Sequence, residues 1–246
     1  MIIKGFKGLL GFLTIIPVGM ESIEMISECF FLCPLVGLII GAIAGAVGWV
    51  SDVFLPEVIA GFLVLTSTQL LIGFHHFDGL LDFSDGVMVR GEPSKRLEVM
   101  HDKYTGAAAV AAGFLVLAIT GLSFGYFAGI DILKVAIVSE IMAKESMVLT
   151  ACFGRTSSYE GMGKHIVKAI KNKPLKPLFS MVLSAVMVFL LIDVSFIYVF
   201  IAMIVTAAIL STYANKAFGC VTGDVLGATN EISRMISLLV LLAAMS

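Results

Sequence analysis

The chain has 246 residues, of which 59% are hydrophobic and 14% charged, and its formal net charge is −2. Soluble domains carry about 25% charged residues, so this composition excludes an ordinary soluble domain and indicates an integral membrane protein. The small negative charge gives no reason to expect a nucleic-acid partner. Since no second domain separates by composition, we predict one all-α, polytopic membrane domain over residues 1–246.

The first element is a short apolar run after Lys4 and Lys7. A spanning helix needs about 20 residues, so we predict an interfacial or re-entrant helix here. About seven spans (six to eight) are predicted to follow, near residues 29–50, 57–75, 105–128, 132–153, 177–192, 195–211 and 232–244. Small residues in the first and third spans permit close helix packing, either within one chain or between protomers of a homo-oligomer.

Lysine and arginine lie in alternate loops of this arrangement. They occur at 82–104, 154–176 and 215–230, whereas the loops at 51–56, 129–131 and 193–194 contain none. The positive-inside rule then places the basic loops and the N-terminus in the cytoplasm, for a protein of the cell membrane. We expect the three cytoplasmic segments to form one site, whereas a transporter more naturally places its charges near the bilayer midplane.

The acidic cluster after the second span is the strongest candidate for a site. Asp78, Asp82 and Asp85 are spaced by four and three residues. On a helix they share one face within an arc of about 60°. A divalent cation would relieve their repulsion, and Mg²⁺ suits oxygen ligands shared with substrate phosphates. We predict these three as Mg²⁺ ligands and place Asp82 and Asp85 among the catalytic residues.

Two histidines, His75 and His76, precede this cluster. Helical geometry places His75 near the aspartate face and His76 roughly opposite it. Either one is a candidate general base, or a polar anchor at the membrane boundary. Geometry favours His75, and the residues alone do not choose.

Basic and glycine-rich segments are candidates for phosphate binding. Arg90, Arg96 and Lys103 suit phosphates next to a metal, although membrane topology alone also accounts for cytoplasmic cations. The segment from Gly154 to Lys164 includes Arg155, and its backbone N–H groups can hold phosphates.

Two further groups carry polar residues in apolar surroundings. Thr222 and Asp224 flank a glycine, and they can contact a nucleotide or a metal, or cap a helix. Glu140 and Lys144 lie four residues apart inside the fourth span, where they can pair with each other or serve a function.

In combination these motifs resemble the cobalamin synthase family. The resemblance covers nearly the whole chain, and it is carried by His76-Phe-Asp78-Gly79-Leu-Leu-Asp82-Phe-Ser-Asp85-Gly86, Arg96-Leu-Glu98-Val-Met100-His-Asp102 with Gly106, Val221-Thr222-Gly223-Asp224-Val225-Leu226-Gly227-Ala228, and the opening Phe12-Leu-Thr-Ile-Ile-Pro17.

The resemblance implies an adenosylcobinamide-GDP ribazoletransferase. Such an enzyme joins adenosylcobinamide-GDP to α-ribazole, or to its 5′-phosphate, and it releases GMP with adenosylcobalamin or its 5′-phosphate. This is the last step of nucleotide-loop assembly. The resemblance favours His76 as the catalytic histidine. We expect Mg²⁺ as cofactor and the substrate contacts at Arg90, Arg96, Lys103, Arg155, Lys164, Thr222 and Asp224.

Two alternatives use the same aspartates. A CDP-alcohol phosphotransferase needs Asp-Gly followed by x-x-Ala-Arg, and Asp78-Gly79 lacks that continuation. A cation or metabolite transporter is the alternative from another class.

Overall fold

The computed structural model describes residues 2–19, 21–192 and 196–245. Within these residues the chain is all-α, as predicted, and its one extended contact is an isolated bridge between Thr156 and Val221. The predicted loop at 193–194 and the first residue of the span at 195–211 lie outside the described residues.

The described helices follow one another with short connections. They are α1 (Ile2–Leu13), α2 (Ile23–Glu28), α3 (Cys33–Asp52), α4 (Glu57–Ile72), α5 (His75–Met88), α6 (Pro93–Met100), α7 (Ala107–Phe124), α8 (Ile130–Phe153), α9 (Met162–Lys171), α10 (Leu175–Phe189), α11 (Phe196–Ala217) and α12 (Gly223–Met245), with a 3₁₀ turn at Phe30–Leu32.

Several helices are suited to a bilayer, which agrees with a polytopic membrane protein. Among the described residues, four segments are long and apolar enough to span: Phe30–Asp52, Ala107–Phe124, Phe196–Ala217 and Gly223–Ala244. The bent pair α4 and α5 gives a fifth when taken together. Our expectation of about seven spans also includes α10, which has 15 residues, and α8, which has 24 residues with several charges.

The central helix of the bundle is α8, against which α3, α11 and α12 pack. A Cβ atom on Gly37 of α3 would lie 2.5 Å from the carbonyl oxygen of Glu140, and one on Gly41 would lie 2.6 Å from Cα of Ile137. Glycine at these positions therefore lets the two backbones touch. The small residues of this span serve packing within the chain.

The chain turns sharply between α4 and α5. Gly73 and Phe74 both have positive φ, 67° and 61°, and the axes of the two helices differ by 92°. Helix α5 then contacts the first turns of α7 and α12 and the residues that end α11. It therefore lies across one end of the bundle and turns away from the direction of α4.

Three segments contain helix against our expectation: two predicted loops, and the stretch with Glu21, Glu24 and Glu28, which the sequence predicts as a short acidic linker. The predicted loop at 215–230 is mostly helical, because α11 continues to Ala217 and α12 begins at Gly223. The basic loop at 154–176 contains α9, and the acidic residues near 21–28 include α2. The early start of α12 is stabilised by Thr222, whose Oγ1 accepts a hydrogen bond from the backbone N–H of Val225 at 3.3 Å.

A buried polar network explains how charged residues fit inside this bundle. Arg234 of α12 donates to both Glu140 and Glu231. Nζ of Lys144 lies 3.4 Å from a Glu140 carboxylate oxygen, so the two residues pair, which is one of the two alternatives for their spacing, and 2.7 Å from Oδ1 of Asn230. The two cations and two carboxylates are at most 1% exposed, so their charges balance within the bundle.

Candidate functional site

The three aspartates of the acidic cluster all lie on α5, so the helical spacing assumed for them is present. Asp82 is half-buried and feels the negative charges of Asp78, Asp224 and Asp85. Burial, with these charges, raises the pKa of the Asp82 carboxyl from its usual value of 3.8 to about 7. A cation bound here would lower the cost of ionising it.

Asp85 has a contact that the sequence did not predict. Its carboxylate accepts hydrogen bonds from the backbone N–H of Gly106 at 2.6 Å and of Ala109 at 3.0 Å, at the start of α7. Free N–H groups at a helix N-terminus favour a carboxylate, so this contact holds α7 against α5.

The carboxylates of α5 are the donor set for the predicted Mg²⁺ site. Within the described residues, no three His, Cys, Asp or Glu side chains are close enough together to hold a metal on their own. Mg²⁺ that is shared with substrate phosphates needs only one or two carboxylates. Asp78 and Asp82, four residues apart on α5 and with interacting charges, are the two carboxylates available for such a shared site.

The glycine-rich segment and the segment around Thr222 are adjacent in space. The backbone N–H of Val221 donates to the carbonyl of Arg155 at 3.0 Å. A Cβ atom on Gly163 would lie 2.5 Å from the backbone nitrogen of Gly223, so α9 and the start of α12 touch through their backbones. Two motifs far apart in the chain therefore form one surface beside α5.

Two cavities meet at the start of α12, and both reach Met162, Gly223 and Asp224. The smaller cavity, of about 300 Å³, has polar walls that include His101, Ser157, Tyr159, Lys164 and Thr222. The larger one, of about 590 Å³, is lined mainly by apolar residues of α1, α2, α8 and α9, with His75 and His76. Asp224 is therefore placed between a polar and an apolar compartment.

The two histidines have different surroundings. His75 is exposed, whereas His76 is 6% exposed and its Nε2 atom has no hydrogen-bond partner among the described residues. Both line the larger cavity. Burial thus distinguishes two histidines for which helical geometry and the family resemblance favoured different choices.

The predicted phosphate-binding cations are placed unevenly. Arg96 donates to the carbonyl oxygens of Val87 and Gly91 near the end of α5. Lys164 lines the smaller cavity and pairs with Glu160. Arg90, Lys103 and Arg155 are exposed, and they are not among the described residues that line these two cavities.

Sequence reasoning missed several residues of the site. Nε2 of His101 lies 3.7 Å from a carboxylate oxygen of Asp224. His101 falls inside the Arg96–Asp102 element, which was the available signal. On α1 and α2 the signal was limited to the start of the opening motif, Phe12 and Leu13, because other apolar residues at a membrane edge are common to all such proteins.

Comparison with known proteins gives consistent matches over almost the whole chain. The family described as cobalamin-5-phosphate synthase matches residues 5–242. The chain is 29% identical to the adenosylcobinamide-GDP ribazoletransferase of Methanosarcina mazei, with 96% of this chain and 90% of the relative covered. It is 31% identical to the protein of that name from Methanococcoides burtonii, with coverage of 96% and 90%. For the one from Clostridium acetobutylicum the identity is 33% and the coverage 95% and 94%. No solved structure matches the chain.

Proposed function

The chain belongs to the cobalamin-5-phosphate synthase family, and we propose that it transfers α-ribazole, or its 5′-phosphate, onto adenosylcobinamide-GDP. The observation that carries this proposal is the match over residues 5–242, which includes the aspartates of α5 and Asp224. The same match favours the transferase over a CDP-alcohol phosphotransferase and over a transporter. We take the products to be adenosylcobalamin, or its 5′-phosphate, and GMP.

The reaction is a displacement at phosphorus. A ribose hydroxyl of the acceptor bonds to the phosphorus that carries the cobinamide arm, and the bond from this phosphorus to the bridging oxygen breaks. GMP leaves with that oxygen and the bonding electrons. The hydroxyl proton passes to a base, the role predicted for His76.

Two carboxylates and a polar cavity support this chemistry. Asp78 and Asp82 are the proposed Mg²⁺ ligands, and the metal would offset charge on the pyrophosphate as the leaving group forms. Asp85 is engaged with the first turn of α7, so we assign it to positioning α5. Lys164 and the backbone N–H groups around Gly163 border the small cavity, where the pyrophosphate would lie.

The chain is further proposed to lie in the cell membrane with the α5 end in the cytoplasm. The support is the distribution of lysine and arginine over alternate loops. This orientation would place the site where GMP is released inside the cell.

The proposed function is tested by GMP release from detergent-purified protein. With adenosylcobinamide-GDP and α-ribazole we expect GMP in the presence of Mg²⁺ and none with EDTA. Asp82→Asn should lower kcat by about 10²-fold or more, because several kcal/mol of charge stabilisation would be lost. Asp131→Asn is the matched control, since Asp131 pairs with Lys134 elsewhere in the chain.

Full activity of Asp82→Asn would contradict the metal assignment. A wild-type protein that binds both substrates and releases no GMP would contradict the proposed reaction.

A further inference from the structure

The larger cavity has mostly apolar walls and a few polar groups at one end. Its apolar wall combines Leu13, Ile26, Met147 and Ile166 from four helices, and Ile23, 44% exposed, lies on its lining. Its polar groups include His76 and Asp224, from the first turns of α5 and α12. A cavity with apolar walls and a few polar groups is typical of a small-molecule site.

His76 supplies an independent sign that a ligand belongs here. Its Nε2 atom is buried without a hydrogen-bond partner among the described residues, and the residue lines this cavity. Leaving such an atom unpaired costs about 1–3 kcal/mol. A ligand with a hydrogen-bonding group at this end of the cavity would remove that cost.

The charged residues of the lining and the volume of the cavity limit the class of ligand that can bind. The described lining contains the carboxylates of Glu21 and Asp224 and neither lysine nor arginine, so a pyrophosphate would find no counter-charge. Lys164 offers one in the smaller cavity. A corrin macrocycle with its side chains is several times larger than a nucleoside and does not suit a volume of about 590 Å³. The ligand that fits is mostly apolar and uncharged, with hydrogen-bonding groups at one end.

We propose that this cavity binds the acceptor of the reaction, with the dimethylbenzimidazole base of α-ribazole against the apolar wall and its ribose toward His76 and Asp224. The proposal rests on the proposed function and adds to it the place of the acceptor. Because both cavities reach Asp224, the acceptor hydroxyl would face a pyrophosphate held in the smaller one. A 5′-phosphate on the acceptor would have to lie outside the apolar walls.

The first test measures binding of α-ribazole alone to the purified full chain by calorimetry, and then steady-state kinetics. Ile23→Trp adds bulk at a partly exposed position of the lining. It should weaken α-ribazole binding and raise the acceptor KM by about tenfold or more, since a filled site excludes the base. The KM for adenosylcobinamide-GDP and kcat at saturating acceptor should stay unchanged. Ile3→Trp on α1, where Ile3 is 76% exposed, is the control and should change none of these.

The second test needs no variant. Free 5,6-dimethylbenzimidazole should inhibit wild-type transfer competitively against α-ribazole and not against adenosylcobinamide-GDP. Unchanged acceptor binding in folded Ile23→Trp, or competition of the base against adenosylcobinamide-GDP instead, would overturn the assignment. If Ile23→Trp does not fold, the competition pattern decides.

The two proposals fail in different ways. Wild-type protein that binds α-ribazole but releases no GMP would contradict the proposed function and leave the cavity assigned. GMP release with an unchanged acceptor KM in Ile23→Trp would contradict the cavity alone.

Discussion

Asp82 and Asp85 are three residues apart on α5 and have different surroundings. Asp85 accepts hydrogen bonds from two backbone N–H groups at the start of α7, whereas Asp82 is exposed to the negative charges of three other aspartates. The same residue type on one helix face therefore serves to position a helix in one case and to bind a cation, as proposed, in the other.

The contact of Asp85 leads to a prediction about stability. Asp85→Ala should destabilise the protein by about 1 kcal/mol, because two N–H groups at the start of α7 lose their acceptor. Asp85→Asn keeps an acceptor oxygen and should cost less. Thermal unfolding in detergent measures both. Equal Tm values for wild type and Asp85→Ala would show that the contact contributes nothing.

The surroundings of Asp82 lead to a prediction about pH. Since the pKa of this carboxyl is raised to about 7, a proton competes with Mg²⁺ below that pH and is absent above it. The apparent affinity for Mg²⁺ should fall by up to about tenfold for each pH unit below 7, as expected for release of one proton. Titrations of activity with Mg²⁺ at pH 6 and 8 measure this. An affinity that is the same at both pH values would contradict proton competition at Asp82.

At the scale of helices, α12 connects the site to the bundle. Its first turn carries Asp224, and deeper in the bundle Arg234 pairs with Glu140 of α8 and with Glu231. The pair with Glu140 joins α12 to α8, and it therefore helps to fix the depth and rotation of α12 and the position of Asp224.

Removing the arginine should therefore destabilise the bundle strongly. Arg234→Met leaves the buried carboxylates of Glu140 and Glu231 without that cation, at a cost of about 3–5 kcal/mol. Lys134→Met removes a partly exposed partner of Asp131 and should cost about 0–1 kcal/mol. Thermal unfolding in detergent compares the two. Similar Tm shifts for both variants would show that the buried ion pairs of Arg234 contribute no more to stability than the partly exposed pair of Lys134.

The contact between α9 and α12 allows a comparison of two glycines. Gly163→Ala should lower kcat/KM by about 10²-fold, because a displacement of about 1 Å at a reacting centre has that effect. A Cβ atom there would meet Gly223 and Thr222, whereas one on Gly161 would meet nothing within 4 Å. Gly161→Ala, at a position that also borders the small cavity, should therefore leave α9 and α12 in place and lower kcat/KM far less. Equal activities of the two variants would contradict a close approach at Gly163.

At the scale of the whole molecule, the site lies at one end of the bundle. The acidic helix, the glycine-rich segment and the start of α12 come together there, from three distant parts of the chain. The proposed orientation makes this the cytoplasmic end.

Two tyrosines at opposite ends of α7 test that orientation. Tyr104 and Tyr126 are 85% and 77% exposed. In intact cells an impermeant thiol reagent should label Tyr126→Cys and not Tyr104→Cys, and permeabilised cells should label both. The reverse pattern would place the site outside the cell. The four native cysteines are buried or partly buried, so unsubstituted protein serves as the background.

The sequence by itself determined the class of the protein, the family and the aspartate face of α5. The hydrophobic composition indicates a lipid environment, and the spacing of Asp78, Asp82 and Asp85 indicates one face of a local helix. Neither inference needs tertiary contacts. Residues near the start of α12 were misjudged, because Asn230, Glu231 and Arg234 lower the hydropathy of a segment that is nevertheless buried. Their partners on α4 and α8 lie far away in the chain.

Only the tertiary structure decided which polar residues have partners. It buried His76 and left His75 exposed, and it placed the carboxylate of Asp85 against the backbone N–H of Gly106 at the start of α7. It also placed His101 next to Asp224. It also formed the apolar cavity, which joins apolar residues of α1, α2, α8 and α9 to the motif residues His76 and Asp224. The physical reason is that burial and hydrogen bonding depend on which distant segments meet, and a residue's neighbours in the chain do not contain that information.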